Sequence, residues 1–121
     1  MSRNHEKLSV FHKADQLAVL VYRLTARFPS DERFGLRSQI RRAAVSTPTN
    51  IVEGCGRPSE RDYIRFLDIA LGSANEVSCL LHLSQRLLPL EASEFEECRH
   101  CAGDGVKMLQ KLVGSLRPFN E

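Results

Sequence analysis

The sequence predicts an all-α protein, an antiparallel up-down-up-down four-helix bundle whose second helix is kinked at Pro48. Three observations carry that expectation. Apolar residues recur three and four apart in four separate segments, which gives each an apolar stripe. Helix breakers stand at the ends of those segments: Pro29, Gly54 with Gly56, Pro89 and Pro118. The connections are short, and short connections favour antiparallel neighbours.

The chain opens with a polar stretch, so residues 1–9 are expected to form a flexible tail and residues 10–118 the bundle. The first helix spans Val10 to Arg27, with Phe11, Ala14, Leu17, Val21, Leu24 and Phe28 on one side. Pro29 stops it. The second helix starts near Phe34–Leu36, and Leu36, Ile40, Ala43, Thr47 and Ile51 make a narrow seam. Ala43, Ala44 and Ser46 are small enough to admit another helix closely. Pro48 removes one backbone donor, frees the Ala44 carbonyl and costs roughly 3 kcal/mol; Ser46, Thr47, Thr49 and Asn50 surround it with polar groups. The kink either fits the helix around a partner or turns Asn50 and Glu53 toward a ligand. Gly54 and Gly56 are expected to close the helix in a left-handed cap.

Ser59 is a good N-cap for the third helix, and the acids that follow suit the helix dipole. Tyr63, Leu67, Ala70, Ala74, Val77, Leu81 and Leu88 mark its seam. Ile64, Phe66, Ile69, Leu71, Leu80, Leu83 and Leu87 are apolar on other faces, leaving only a thin polar stripe. A helix apolar around most of its circumference is buried from several sides, which predicts an oligomer. After Pro89 the fourth helix carries Phe95, Cys98, Ala102, Gly105, Leu109, Leu112 and Leu116 in a heptad-like seam. Gly103 and Gly105 weaken its middle.

Size and charge narrow the function classes. The 121 residues suit a single domain with its own core. No apolar run approaches the ~20 residues of a membrane helix, and the N-terminus lacks the apolar centre of a signal peptide. A cytoplasmic protein with no membrane partner is expected, its four cysteines reduced. Lys and Arg outnumber Asp and Glu by twelve to seven in residues 1–67, whereas the remainder holds five against eight. Opposite-signed halves fit helix pairing, self-assembly or an anion-binding face alike.

Catalytic chemistry finds little support. Cys98 and Cys101 form a C-x-x-C and Cys79 with His82 a C-x-x-H, types that suit zinc. In a hairpin turning near Leu90, Cys79 would lie level with Cys101, but Cys98 belongs to an apolar seam and Cys79 to a polar stripe. No metal or other cofactor is expected. Glu97 and His100 are a single Glu-x-x-His, where a di-iron bundle needs two. Phosphate loops and hydrolase motifs are missing, and the four histidines form no evident acid–base pair, so no enzyme is expected.

The arginines are the better lead. Arg33, Arg37 and Arg41 line one face of the second helix, with Arg42 beside them; Arg57, Arg61 and Arg65 repeat that spacing around the start of the third. Such rows can track phosphates, since guanidinium matches phosphate oxygens two-pronged. They equally suit a solvated face, or ion pairs with Glu53, Glu60 or the Glu94, Glu96 and Glu97 cluster across a subunit contact. No aromatic platform accompanies them, which argues against stacking on single strands.

The run Ser38-Gln39-Ile40-Arg41-Arg42-Ala43-Ala44-Val45-Ser46, with Pro48, Asn50-Ile51 and Glu53-Gly54, resembles the signature of a bacterial family of small four-helix-bundle proteins. Many of its members are encoded in intervening sequences of 23S ribosomal RNA genes. The resemblance continues through Tyr22-Arg23-Leu24-Thr25, Phe28-Pro29, Phe34-Gly35-Leu36, Arg65-Phe66-Leu67 and Ala70-Leu71-Gly72-Ser73 to Glu76, and covers about residues 10–117. It implies a ring-like homopentamer. A similar protein, the accessory variability determinant of diversity-generating retroelements, is a pentameric barrel whose basic surface engages nucleic acid and a reverse transcriptase. Carried over by position, Arg37, Arg41, Arg42 and Arg57 become nucleic-acid candidates, and Pro48, Asn50, Glu53 and Gly54 structural ones. The chain departs from the family pattern at Thr47, Val52 and Cys55, and matches it loosely around Gly103 and Gly105. The leading expectation is a non-enzymatic oligomer that binds RNA or DNA with little sequence preference through Arg37, Arg41, Arg42, Arg57 and Arg61. The alternative is a protein-interaction scaffold with no nucleic-acid role.

Overall fold

A computed structural model describes residues 3–32 and 35–117. Four helices account for most of them: α1 (Ser9–Thr25), α2 (Leu36–Cys55), α3 (Glu60–Leu87) and α4 (Ala92–Leu116). Short 3-10 turns lie at His5–Lys7 and Ser30–Glu32, and there is no strand among the described residues. Arg33 and Phe34, expected at the start of the second helix, and Pro118, expected to end the fourth, lie outside the described residues. α1 packs on α2 and α4, and α3 packs on the same two, so the four helices surround a common interior.

Local chemistry starts each helix where a cap is available. The Ser59 hydroxyl accepts the Asp62 amide at 3.1 Å, satisfying one orphan donor of α3. α4 opens with a capping box: the Glu91 side chain takes the Glu94 amide, and Glu94 Oε2 accepts the Glu91 amide at 2.8 Å. α1 stops short of its expected end. Arg27 and Phe28 donate to Leu24 and Thr25, three residues back, which tightens the last turn before Pro29.

The interior follows the predicted stripes with adjustments of one position. Val10 replaces Phe11 in the core, while Phe11 lies half-buried with its ring edge-on to His5 and His12. On α4, Cys101 and Val113 are buried, and Leu112 and Leu116 are half-exposed. Two clusters result. One gathers Leu17, Val21, Ile40, Leu81 and Phe95; the other Val10, Ile51, Tyr63, Leu67 and Leu109.

α2 remains helical through Pro48, and side-chain donors crowd round the proline. Thr47 Oγ1 bonds the Ala43 carbonyl at 3.1 Å, Thr49 Oγ1 reaches Val45 and Ser46, and Asn50 Nδ2 reaches Ser46 at 2.8 Å. These bonds flank the Ala44 carbonyl and do not end on it. Asn50 also donates to Ser46 Oγ, which shares a hydrogen bond of 2.8 Å with Ser73 Oγ. A polar ladder therefore ties α2 to α3 at mid-length.

Two expectations are corrected. Gly54 does not cap α2: the helix runs on to Cys55, and no described glycine has positive φ. Gly54 is needed for close approach, since a Cβ there would stand 2.9 Å from Phe66 Cβ and 3.3 Å from the Tyr63 carbonyl. The second correction concerns the tail, which is folded from Arg3 onward. The Arg3 amide donates to the Cys55 carbonyl at 2.8 Å, and its guanidinium lies 3.9 Å from the Tyr63 ring centroid and 3.5 Å from Glu60. Asn4 Oδ1 accepts the Glu6 amide, and His12 Nε2 donates to the Glu6 carbonyl at 2.7 Å. Polarity alone suggested mobility; the carbonyl left over at the end of α2 supplies an anchor.

Candidate assembly surfaces and arginines

The predicted arginines divide into two groups. Arg37 donates to the Phe28 carbonyl at 2.7 Å and to Pro29 at 3.5 Å, closing the end of α1. Arg41 Nε reaches Thr25 Oγ1 at 2.7 Å and its amino group the Tyr22 carbonyl at 3.2 Å, with the guanidinium 4.3 Å from the Tyr22 ring centroid. Both side chains are thus spent on α1. Arg57 pairs with Glu53, four residues earlier, and leans on Phe66. Arg42 and Arg61 are exposed, with no ion pair or hydrogen bond among the described residues. The two rows do not merge, because Arg37 and Arg41 lie on the α1 side of α2 and Arg57 on the α3 side.

Around the α2–α3 turn, guanidinium groups meet their own counter-ions. Arg3 has Glu60, Arg57 has Glu53, Arg65 has Asp62 at 3.7 Å, and Arg117 has Asp68. An open groove of about 550 Å³ runs along this end, lined by Arg61, Arg65, Arg117, Glu60, Asp62 and Asp68. Mixed lining of this kind gives little net field for a polyanion. The four structural candidates fall into place differently. Pro48 is buried, Asn50 holds the ladder, Glu53 holds Arg57, and Gly54 lets α3 in.

The cysteine and histidine set is not brought together. Gln85 pairs with Arg99 at 2.6 Å, and Asp68 with Arg117, a register that sets Cys79 against Gly105, one turn past Cys101. Cys79 and His82 are exposed, whereas Cys98 and Cys101 are buried. Among the described residues, no cluster of three or more His, Cys, Asp or Glu is placed to hold a metal. Burial, the neighbouring Cys101 and Glu97 push the Cys98 thiol up to about 12, and burial likewise raises Cys55 and Cys101. A thiol held protonated is a poor nucleophile. In a colorimetric thiol titration, the buried Cys55, Cys98 and Cys101 will stay unreactive in the native protein, and all four cysteines will react in urea. Because an unfolded thiol ionises near 9.0 and folded Cys98 near 12, the contribution of Cys98 to stability is full below pH 9 and is lost as pH rises toward 12.

Apolar surface is the feature that polar chemistry does not explain. The predicted surplus on α3 is smaller than its sequence suggests: Leu80 is buried in the core, Ile64 and Leu71 lean on it, and Phe66 is overlaid by Arg57 and Arg65. Ile69, Leu83 and Leu87 remain exposed, Leu87 at 64%. A second strip was not foreseen. Val19 and Tyr22 on α1, each 44% exposed, are level with exposed Val45 on α2 in the register set by the Arg41–Tyr22 contact, and exposed Val52 lies two turns further along α2. Its only signals in the sequence were a pair three apart and a pair seven apart, each off the main stripe. No helix among the described residues is long and apolar enough to cross a membrane.

A family model described as 23S rRNA-intervening sequence protein matches residues 6–111 of the chain. A similar solved structure comes from Bacteroides thetaiotaomicron VPI-5482 and is described as a protein with unknown function from the S23 ribosomal protein family. It superposes with a TM-score of 0.76 at 27% identity, over 86% of this chain and 97% of that one. No curated protein matches the chain.

Proposed function

The chain belongs to the 23S rRNA-intervening sequence protein family, and on that footing we propose that it is a non-enzymatic, cytoplasmic subunit of a homo-oligomer, built as an up-down-up-down bundle with α2 kinked at Pro48. One observation carries this function: a bundle with a filled core still exposes two apolar strips, on α3 and on α1–α2. Apolar strips on different faces suit association of like chains. The five-membered ring implied by the family resemblance is one closed form such contacts can take. Light scattering at micromolar concentration tests the proposal. The expected mass is a multiple of the 13.7 kDa chain; a mass of one chain removes it.

A second role is supported by Arg42 and Arg61, whose exposed guanidinium groups have no partner among the described residues and would be repeated in every subunit. We propose that the assembled particle binds RNA or DNA through these repeats. Filter binding should weaken steeply with added salt, and Arg42→Ala with Arg61→Ala should make that slope shallower. Retained assembly without binding at low salt would leave a scaffold that engages protein alone.

A further inference from the structure

The two apolar strips carry charges that sort them into a donor face and an acceptor face. On α3, Ile69, Glu76 and Leu83 follow one another at intervals of seven, with Arg86 three residues past Leu83. On α1, Asp15, Val19, Tyr22 and Arg23 lie on the outward side. Glu76, Arg86, Asp15 and Arg23 are all exposed, and none has an ion pair or hydrogen bond among the described residues. That sets them apart from Arg3, Lys13, Arg27, Arg57, Arg65 and Arg117, each of which has an acid within its own chain.

The order of these free groups is the informative part. From Glu76 to Arg86 α3 runs acid, apolar, base, and from Asp15 to Arg23 α1 also runs acid, apolar, base. Two such helices brought together antiparallel oppose Glu76 to Arg23 and Arg86 to Asp15, with Leu83 against Val19 and Tyr22 between them. The spans agree: ten residues of α3 cover about 15 Å and eight of α1 about 12 Å, a difference that long side chains absorb. Parallel docking would set like charges face to face, which is unfavourable.

We propose that the α3 strip of one chain docks antiparallel on the α1 strip of a second copy, with Glu76–Arg23 and Arg86–Asp15 as the cross-chain ion pairs. This rests on the homo-oligomer reading above. The contact is head-to-tail, since each copy offers one face and receives the other, and it propagates until it closes.

Two variants test it, each changing an exposed residue. Leu83→Glu spoils only the α3 face and Val19→Glu only the α1 face. Each alone should run as a single chain by light scattering, with wild-type circular dichroism. Mixed in equal amounts, they should form a one-to-one dimer, because each retains the face the other lacks. A charge exchange adds an independent measurement. Glu76→Arg and Arg23→Glu should each weaken assembly at least tenfold, and the double variant should return to within about threefold of wild type. If wild type assembles but the mixture stays as single chains, or the double exchange is no better than either single one, the pairing is overturned while the oligomer stands. If wild type is itself a single chain, the oligomer reading fails first.

Discussion

Gly54→Ala will lower the stability of the bundle by about 1–3 kcal/mol, the range for forcing an extra methyl into a packed contact. Alanine is the better helix former by roughly 1 kcal/mol, so propensity alone points the other way. Contact decides the sign. The new methyl would meet Phe66 Cβ at 2.9 Å and the Tyr63 carbonyl at 3.3 Å, atoms fixed to the α3 backbone that no rotamer change can withdraw. The helices must separate there, loosening the Ser46–Ser73 ladder two turns away. Gly103→Ala is the matched control: nothing lies within 4 Å of its added methyl, so about 0.5–1 kcal/mol of stabilisation is expected. Urea midpoints for the two variants should therefore move in opposite directions. A neutral or stabilising Gly54→Ala would show that the approach of α2 to α3 is not tight.

Arg41→Ala will cost about 2 kcal/mol, and Arg42→Ala less than about 0.5 kcal/mol, although the two residues adjoin. Arg41 supplies a hydrogen bond to buried Thr25, another to the Tyr22 carbonyl, and a cation over the Tyr22 ring. Truncation leaves the carbonyl in the last turn of α1 without that donor. Arg42 makes no such contact among the described residues. Thermal melts will separate the pair: a clear fall in Tm for Arg41→Ala, and almost none for Arg42→Ala. Salt-dependent binding should show the reverse emphasis, with Arg42 affecting affinity at unchanged stability. Equal stability losses from both would mean that α1 is not held by Arg41.

Helical periodicity made the four helices readable in advance, because burial imposes spacing on long segments: Leu17, Val21 and Leu24 could hardly be arranged otherwise. The site was less readable. Arg37, Arg41 and Arg42 look alike as a string, and only the position of α1 shows that Arg41 serves one of its carbonyls and Arg37 those just past its end. Gly54 stands where a helix end is expected, and sequence cannot distinguish a glycine that turns the chain from one that makes room for Phe66. The α1–α2 strip escaped notice because Val19, Tyr22, Val45 and Val52 come from two helices and form a surface only once these are side by side. Arg3 was hidden for the same reason: its partners Cys55, Glu60 and Tyr63 lie more than fifty residues away.

The α1–α4 seam has a consequence for biosynthesis. Cys101 Sγ donates to the Lys13 carbonyl across 88 residues, and Arg27 finds Glu94 on the same seam. A ribosome delivers α1, α2 and α3 before α4, so a nascent chain presents the uncovered flank of α1 to the cell until α4 has emerged. Chain order therefore sets when the interior can close, and a stalled or truncated product would keep Leu17 and Val21 wet, a target for holding chaperones.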